Sequence, residues 1–372
     1  MKTRYDTVIC HVKAIRQSKR LSQGQLADLV GVKRQAIYDI ESGKYVPNTV
    51  LALRMAKYLG CRVEDLFREE LVDDEQPVNV VEPAEGQSCR VMVAKVRGRL
   101  IGYPLTGKRS LNDGFRPADG LLQADGDKVR LFGAGENLDH SIIMLGCDPA
   151  LSILAAHVSR SAPEIRINCR FASSERALEG LAAGHAHLGG AHLHNTETAE
   201  ANVLLARRLL GNAKATLIAF SRMEEGLMVA PGNPLRIRTV TDLAGGDVRL
   251  INREPGAALR ALLDDYLRRM GIAPGAIKGY EHEVKGHLEG AQMVAYGFAD
   301  AALGLRAVAE ANGLDFTPIE AVRFDLVIPD DLIDHPAVKV VVDTLQTRKL
   351  REELRAFPGY ESSQTGSVIA EL

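Results

Sequence analysis

LSQGQLADLVGVKRQAIYDIESGK, residues 21–44, reads as two short helices joined by a tight turn. Ser22 and Gln25 stand three apart, the spacing at which a hydroxyl and an amide each accept a backbone N–H left free at a helix start. Gly31 supplies the left-handed residue that ends such a helix. From Lys33 a second helix turns Ala36, Ile37 and Ile40 inward and leaves Lys33, Arg34, Gln35, Tyr38 and Asp39 outward, until Gly43 closes it. Working outward, Val8, Val12 and Ile15 predict a helix over residues 6–20. VLALRMAKYL predicts another over 49–59, and a short one follows at 63–67. Together these elements make an all-α head over residues 1–70.

A chain of 372 residues is too long for one core, so more than one domain is expected. Its 46 % hydrophobic and 25 % charged residues are those of a soluble globular protein and argue against a disordered chain. The net charge of −2 is unevenly spread. Residues 1–70 hold 13 Lys and Arg against 8 Asp and Glu, a net +5 that leaves −7 on the remainder. A basic head on an acidic body directs the head alone to a polyanion. No run approaches the roughly 18 apolar residues of a membrane span, and MKTRYDTVICHVKAIRQSKR lacks a secretory pattern. A cytoplasmic location with no membrane partner is therefore expected. Five cysteines without a CxxC pair argue against a disulfide framework or zinc ribbon.

Residues 71–88 are acidic, contain proline and lack periodicity, which predicts a linker. RVMVAKV, RLIGYPL and KVRLFGA predict a β-rich bridge over 89–138. From residue 139 SIIMLGC, DPALSILAAHV, EIRINCR, SSERALEGLAAG and AHLGGAHL alternate strand with helix. That rhythm implies an open, largely parallel sheet with ligands beyond its strand ends. It continues through ATLIAFS, EGLMVAPGNPL, GAALRALLDDYLRRMG and HLEGAQMVAYGFA, predicting two α/β lobes over 139–335. The chain is expected to cross between them near 217–234 and to return after 297. Residues 336–372 are expected to form a C-terminal helical extension.

Across residues 8–68 the head resembles the XRE, or phage Cro-type, helix-turn-helix domain. The resemblance implies that the third helix enters the major groove of double-stranded DNA, with a homodimer on an inverted-repeat operator. Gln23 then matches a phosphate-contacting glutamine, while Arg34 and Gln35 match base readers suited to guanine and adenine. Tyr38 and Asp39 become secondary readers, and Lys33 and Lys44 hold phosphates. Arg16 and Glu41 match a pair that bridges the first and third helices.

GCDPALSIL, SSERALEGLAAGHAHLGGAHLHN, RMEEGLMVAPGNPL, INREPGAALRALLD and GYEHEVKGH with GFADAALGLRAVAEANGLDFTPI resemble the periplasmic-binding-protein-like (type 2) domain associated with molybdate-binding proteins. This implies a small-molecule or oxyanion ligand, of the molybdate or tungstate kind, in a cleft between the lobes. Ser173 and Ser174 open a helix, where their hydroxyls hold an anion, cap the helix, or do both. Arg253 and Arg260 match arginines of the family's cleft motif, and His192 and His287 match family histidines. Tyr280 and Glu283 line the same wall. Ala257, Ala258 and Leu259 stand where the family carries hydroxyl residues, so a small organic acid rivals molybdate as the expected ligand.

His185, His187, His192 and His194 invite a metal reading, but no Cys or carboxylate completes an obvious ligand set. They are read as cleft lining or satisfied core groups. No GxGxxG after a strand, GxxxxGK[ST], GxSxG or HExxH is present, so neither an enzyme nor a bound cofactor is expected. The composite reading is a ligand-responsive transcriptional regulator. Its rival is a DNA-binding regulator whose body serves oligomerisation.

Overall fold

A computed structural model of the chain describes residues 7–70, 75–82, 89–105, 116–132, 135–194, 200–244 and 246–372. It divides into two compact units, residues 1–76 with 128–134, and residues 77–127 with 135–372.

The first unit opens with β1 (Thr7–Cys10), followed by α1 (Val12–Ser18), α2 (Gln23–Val30), α3 (Arg34–Glu41), α4 (Thr49–Leu59), α5 (Val63–Leu66) and β2 (Phe67–Glu70). The capping box forms as spaced: Gln25 N donates to Ser22 Oγ at 3.1 Å, and Ser22 N donates to Gln25 Oε1 at 2.8 Å. Gly31 is left-handed at φ 77°, which lets α2 stop and α3 start three residues later. Val12, Leu26, Ile37, Ile40, Met55 and Leu59 fill the core between the helices. The helix expected over 6–20 is shorter, because Thr7–Cys10 pairs antiparallel with β2, Thr7 opposite Glu70 and Cys10 opposite Phe67. Three β-branched residues in a row, Thr7, Val8 and Ile9, favour the extended form.

The stretch expected as a linker is part of the fold where it is described. It contains β3 (Glu75–Pro77) and β4 (Asn79–Val80), and residues 71–74 and 83–88 lie outside the described residues. Val78 is buried and β4 runs parallel to β6, so the VNVV run overrides its acidic surroundings. The bridge itself is antiparallel, β5 (Cys89–Val96) lying between β6 (Arg99–Pro104) and β7 (Gly120–Leu122). Met92, Ala94, Ile101 and Tyr103 share a core with Ile143, Leu145 and Leu178 of the lobe that follows. The last bridge strand, β8 (Lys128–Leu131), falls in the first unit.

The first lobe runs β9 (Ser141–Gly146), α6 (Leu151–Ser161), β10 (Arg166–Phe171), α7 (Ser174–Ala182), β11 (Leu188–Ala191) and α8 (Ala201–Leu210). A long strand, β12 (Ala215–Val229), leads to the second lobe. That lobe contains β13 (Leu250–Arg253), α9 (Ala258–Met270), β14 (Glu283–Val284), α10 (His287–Ala295), β15 (Ala301–Leu305) and α11 (Arg306–Ala311). A second long strand, β16 (Asp315–Pro329), brings the chain back.

The body sheet runs β10-β9-β11-β16-β12-β15-β13-β14. Its flanks are parallel, as the βα rhythm implies, but its centre is antiparallel because β12 and β16 lie side by side through both lobes. ATLIAFS and EGLMV, read as separate segments, are one strand with register shifts at Ala219/Ser221 and Glu225/Gly226.

Residues 336–372 are not a helical extension. After α12 (Asp330–Ile333), the helices α13 (Pro336–Leu345) and α14 (Arg348–Arg355) are followed by β17 (Tyr360–Glu361) and β18 (Val368–Glu371), both paired with β12. Val338, Val341, Leu345, Leu350 and Leu354 complete the core of Ile142, Met144 and Phe324, so the first lobe needs this segment to bury its own face.

Candidate functional site

In the head, Glu41 at the end of α3 takes Arg16 Nε at 2.6 Å, Arg16 Nη2 at 3.0 Å and Gln23 Nε2 at 2.8 Å. With side-chain exposures of only 8 % and 3 % for Arg16 and Glu41, this knot fixes α3 against α1 and α2. Gln23, expected on a phosphate, is half-buried at the start of α2, and its amide is the one that donates to Glu41. Lys33, Arg34, Gln35, Tyr38 and Lys44 are exposed and Asp39 is half-buried. Gln35 Nε2 donates to Asp39 Oδ1 at 3.0 Å, one turn along the helix. The Lys44 ammonium lies 5.5 Å from the Tyr38 ring centre, a cation–π contact that places its charge beside the same face.

In the body, the polar groups gather where β10 gives way to α7. Neither serine there caps the helix with its side chain. Ser174 Oγ donates to His192 O at 3.1 Å and accepts from His192 N at 3.0 Å, pinning the end of β11, while Ser173 Oγ is buried without a partner. The second lobe reaches the same place: a Cβ on Gly256 would stand 3.7 Å from Ser173 Oγ, and one on Gly286 would stand 3.5 Å from the Phe171 ring. Arg253, 2 % exposed at the end of β13, donates from Nε to Glu254 Oε2 at 3.1 Å. Its Nη1 lies 3.3 Å from His287 Nδ1.

His192 is the hub. Its Nδ1 is 3.3 Å from Cys147 Sγ, and its Nε2 is 2.9 Å from Glu225 Oε1, though out of line for a hydrogen bond. Burial opposes charge on His192, but Cys147 and Glu225 outweigh it and hold the imidazole well above its ordinary 6.5. Burial holds His287 well below 6.5, helped by the charges of Arg253 and His192, so that ring is neutral. An arginine nitrogen can only donate, so Nδ1 of His287 accepts and its proton sits on Nε2. That N–H is buried without a partner. Beside the hub, Asp148 accepts from Ala150 N at 2.8 Å, Tyr360 Oη at 2.6 Å and Ser221 Oγ at 2.9 Å. Burial nevertheless pushes its carboxyl up.

Among the described residues, six buried side-chain atoms lack a hydrogen-bond partner: Ser173 Oγ, His192 Nε2, His194 Nδ1, Glu225 Oε1, Asp265 Oδ2 and His287 Nε2. Three of them are in ion-pair contact, His192 Nε2 with Glu225 Oε1 at 2.9 Å and Asp265 Oδ2 with Arg269, which leaves Ser173 Oγ, His194 Nδ1 and His287 Nε2; folded proteins pair almost all such atoms, since each one left unpaired costs about 1–3 kcal/mol. Ser173 and His287 belong to the neighbourhood of the His192–Glu225 pair, where the groups of a bound molecule would satisfy them.

Of the residues singled out from sequence, the structure brings together Ser173, Ser174, His192, Arg253 and His287. Arg260, Tyr280 and Glu283 form a neighbouring cluster on the second lobe that satisfies itself. Arg260 lies 4.1 Å from the Tyr280 ring centre and donates to Arg253 O at 3.1 Å and Glu283 Oε1 at 3.4 Å, while Tyr280 Oη donates to Asp264 at 2.7 Å. Ala257, Ala258 and Leu259 are buried, and no side chain caps α9. The four histidines disperse. His187 is a core strut, accepting from Ile143 N at 3.1 Å and held down to about 4 chiefly by burial. His194 lies 3.8 Å from Asp265.

Cys147, Glu225, Glu254 and Tyr360 are members of the site that sequence reasoning missed. Glu225 carried a signal: Ser221, Met223, Glu225 and Leu227 share one inward parity of β12, and a carboxylate in such a series marks a buried polar group.

A capped helix-turn-helix ahead of a two-lobed α/β body with an enclosed polar cluster defines the class of this protein. The family model described as a PBP superfamily domain matches residues 155–346, and that described as helix-turn-helix matches residues 12–66. "Uncharacterized protein YvgK" of Bacillus subtilis is 30 % identical over 231 residues, covering 62 % of this chain and 74 % of its own length. "Uncharacterized HTH-type transcriptional regulator MJ0272" of Methanocaldococcus jannaschii is 45 % identical over 64 residues, 17 % of this chain and 94 % of its own. Among solved structures, Peb3 from Campylobacter jejuni aligns with 59 % of this chain and 99 % of its own at 17 % identity and a TM-score of 0.42. The chain belongs to the PBP superfamily, with an XRE-type helix-turn-helix domain at its N-terminal side. Among the described residues no helix is long and apolar enough to cross a membrane.

Proposed function

We propose that this chain is a transcriptional regulator whose head binds operator DNA and whose body takes a small anion that alters that binding. The observation that carries this reading is the pair of buried donors, Ser173 Oγ and His287 Nε2–H, left without acceptors in a chain that also bears a helix-turn-helix. The backbone N–H groups at the starts of α7 and α10, beside Ser173 and His287, add the positive end of a helix dipole for an anion.

Arg34 and Gln35 read base edges from the exposed face of α3, and Lys33 and Lys44 hold the phosphate backbone. A homodimer on an inverted repeat supplies the area that one small head lacks. An anion can regulate this binding only if it prefers one of two states of the body. A coupling of about 1–3 kcal/mol changes operator affinity 5- to 150-fold.

The test is operator affinity, measured by fluorescence anisotropy on DNA selected from a random pool, with and without each anion that raises the melting temperature. A ligand that binds without shifting operator affinity overturns the regulatory reading. In the same assay Arg34→Ala lowers specific binding by about 1–3 kcal/mol, while nonspecific, salt-sensitive binding persists. Unchanged specific affinity removes Arg34 from the reading helix.

A further inference from the structure

Cys147 and His192 stand to each other as a nucleophile and its base do, and the series continues to a third group. Cys147 follows β9 at the carboxyl end of the parallel strands, the end at which such sheets meet their ligands. Its Sγ is 3.3 Å from His192 Nδ1, and Glu225 Oε1 lies 2.9 Å from the other ring nitrogen. Sulfur, imidazole and carboxylate in that order make an activated thiol: the carboxylate favours the protonated ring, and the protonated ring favours the thiolate, the form of cysteine that attacks carbon. Both nitrogens of a protonated ring donate, so the sulfur accepts the Nδ1 proton. Cys147, His192 and Glu225 are 5 %, 2 % and 1 % exposed, so solvent screens them little.

The sulfur has two buried donors for neighbours. Ser174 Oγ ties the His192 backbone to the start of α7, and the partnerless Ser173 Oγ stands one residue before that tie. From the second lobe His287, whose Nε2–H is also partnerless, faces His192 closely enough to feel its charge. Ser173 and His287 are each 3 % exposed. Two such donors beside a nucleophile fit a molecule that brings an anionic group for the donors and an electrophilic carbon for the sulfur.

We propose that Cys147 captures the ligand covalently, its sulfur bonding to the electrophilic carbon of a small unsaturated carboxylic acid whose carboxylate Ser173 and His287 hold. The sulfur's electron pair forms the S–C bond, and the π pair of the double bond moves to the neighbouring carbon. That carbon takes the proton from His192 Nδ1. The step adds the thiol across the double bond, so nothing is released and no oxidant or reductant is consumed. This inference rests on the reading of the cleft as an anion site and adds a bond to it.

The experiment alkylates the full chain with iodoacetate, which carries a carboxylate, and with iodoacetamide, which does not. Each leaves its carbon on the sulfur as iodide departs with the bonding pair. Mass spectrometry of the peptides gives the rate at each of the five cysteines. Burial pushes the Cys10 and Cys61 thiols up, which makes them slow internal references. The expected result is that iodoacetate modifies Cys147 at least about tenfold faster than iodoacetamide does, the worth of one hydrogen bond to a charged group. Cys10 and Cys61 show no such preference. Ser173→Ala lowers the iodoacetate rate at Cys147 more than the iodoacetamide rate, and His192→Gln slows both at least about tenfold. Acrylate adds its full mass to Cys147 of the wild-type chain. The wild-type comparison needs no variant, so a misfolded His192→Gln protein leaves the test intact.

Equal rates of the two reagents at Cys147, an unmodified Cys147, or the absence of an acrylate adduct overturns the inference. Melting temperature in phosphate, sulfate and acetate, measured on the same protein, separates this failure from that of the anion-site reading. A chain stabilised by an anion yet inert at Cys147 keeps the cleft as a ligand site without covalent capture. A chain neither stabilised nor alkylated loses both readings.

Discussion

Arg16→Met destabilises the helix-turn-helix head by about 3–5 kcal/mol, the cost of stranding one partner of a buried ion pair. Glu41 would keep only the Gln23 amide, and Leu21 O would lose Arg16 Nη1 at 2.5 Å. A unit of this size has little stability to spare. Hydrogen exchange in the intact chain therefore shows the amides of α1 to α3 losing protection while those of β12 and β16 keep theirs. Adding Glu41→Leu restores much of the loss, because an apolar pair needs no counter-charge. Full protection in Arg16→Met would show that the knot contributes nothing.

The same knot sets a pH dependence. Burial works against the Glu41 carboxylate, but hydrogen bonds from Arg16 and Gln23 prevail and hold its carboxyl below the ordinary 4.5. A depressed folded value means that the stabilisation is complete above 4.5 and is lost as pH falls through the folded value. Head protection declines in that acid window in the wild type.

Gly226→Ala has the second large effect. A Cβ there would stand 2.1 Å from Thr317 O, 2.7 Å from the Phe316 ring and 3.0 Å from Pro318 Cα. Two of these neighbours are backbone of the paired strand, so β12 and β16 must move apart, at a cost of about 3 kcal/mol. Glu225, adjacent at the register shift, moves with them. The expected outcome is a lower melting temperature together with weaker anion binding. Gly290→Ala is the control, its Cβ meeting Ala302 Cβ at 3.4 Å in ordinary contact. Equal effects from the two substitutions would rule out the backbone clash as the cause.

The head was legible almost residue by residue, because a capping box, two turn glycines and the Ile37 and Ile40 spacing are local signals that agree with one another. The exception, Thr7–Cys10, depends on a partner strand sixty residues away that no local window contains. The alternating units of the first lobe were legible for the same reason, while α8 was missed and the central antiparallel pair was hidden. Nothing in ATLIAFS or EGLMV states that they continue one another, or that β16 lies against both. The cluster was half visible. Arginine, serine and histidine drew notice by type, whereas Cys147 passed as a small apolar residue and Tyr360 lay in a segment expected to stand outside the body. Cys147 and Glu225 meet His192 from the end of β9 and from β12, while Tyr360 of the C-terminal segment reaches Asp148 beside Cys147, and such convergence is a property of topology.

The passage of β12 and β16 through both lobes has a consequence for the cost of closing the cleft. A hinge made of slack loop loses conformational entropy when a ligand fixes it, and that loss is subtracted from affinity. Here the connection is a hydrogen-bonded ribbon with two register shifts, so a turn of one lobe against the other would have to change its twist. Such a ribbon would act as a torsional spring: its resistance would be enthalpic, its resting angle set by sequence, and the ligand binding proposed above would be opposed by stored elastic energy rather than by the ordering of a chain.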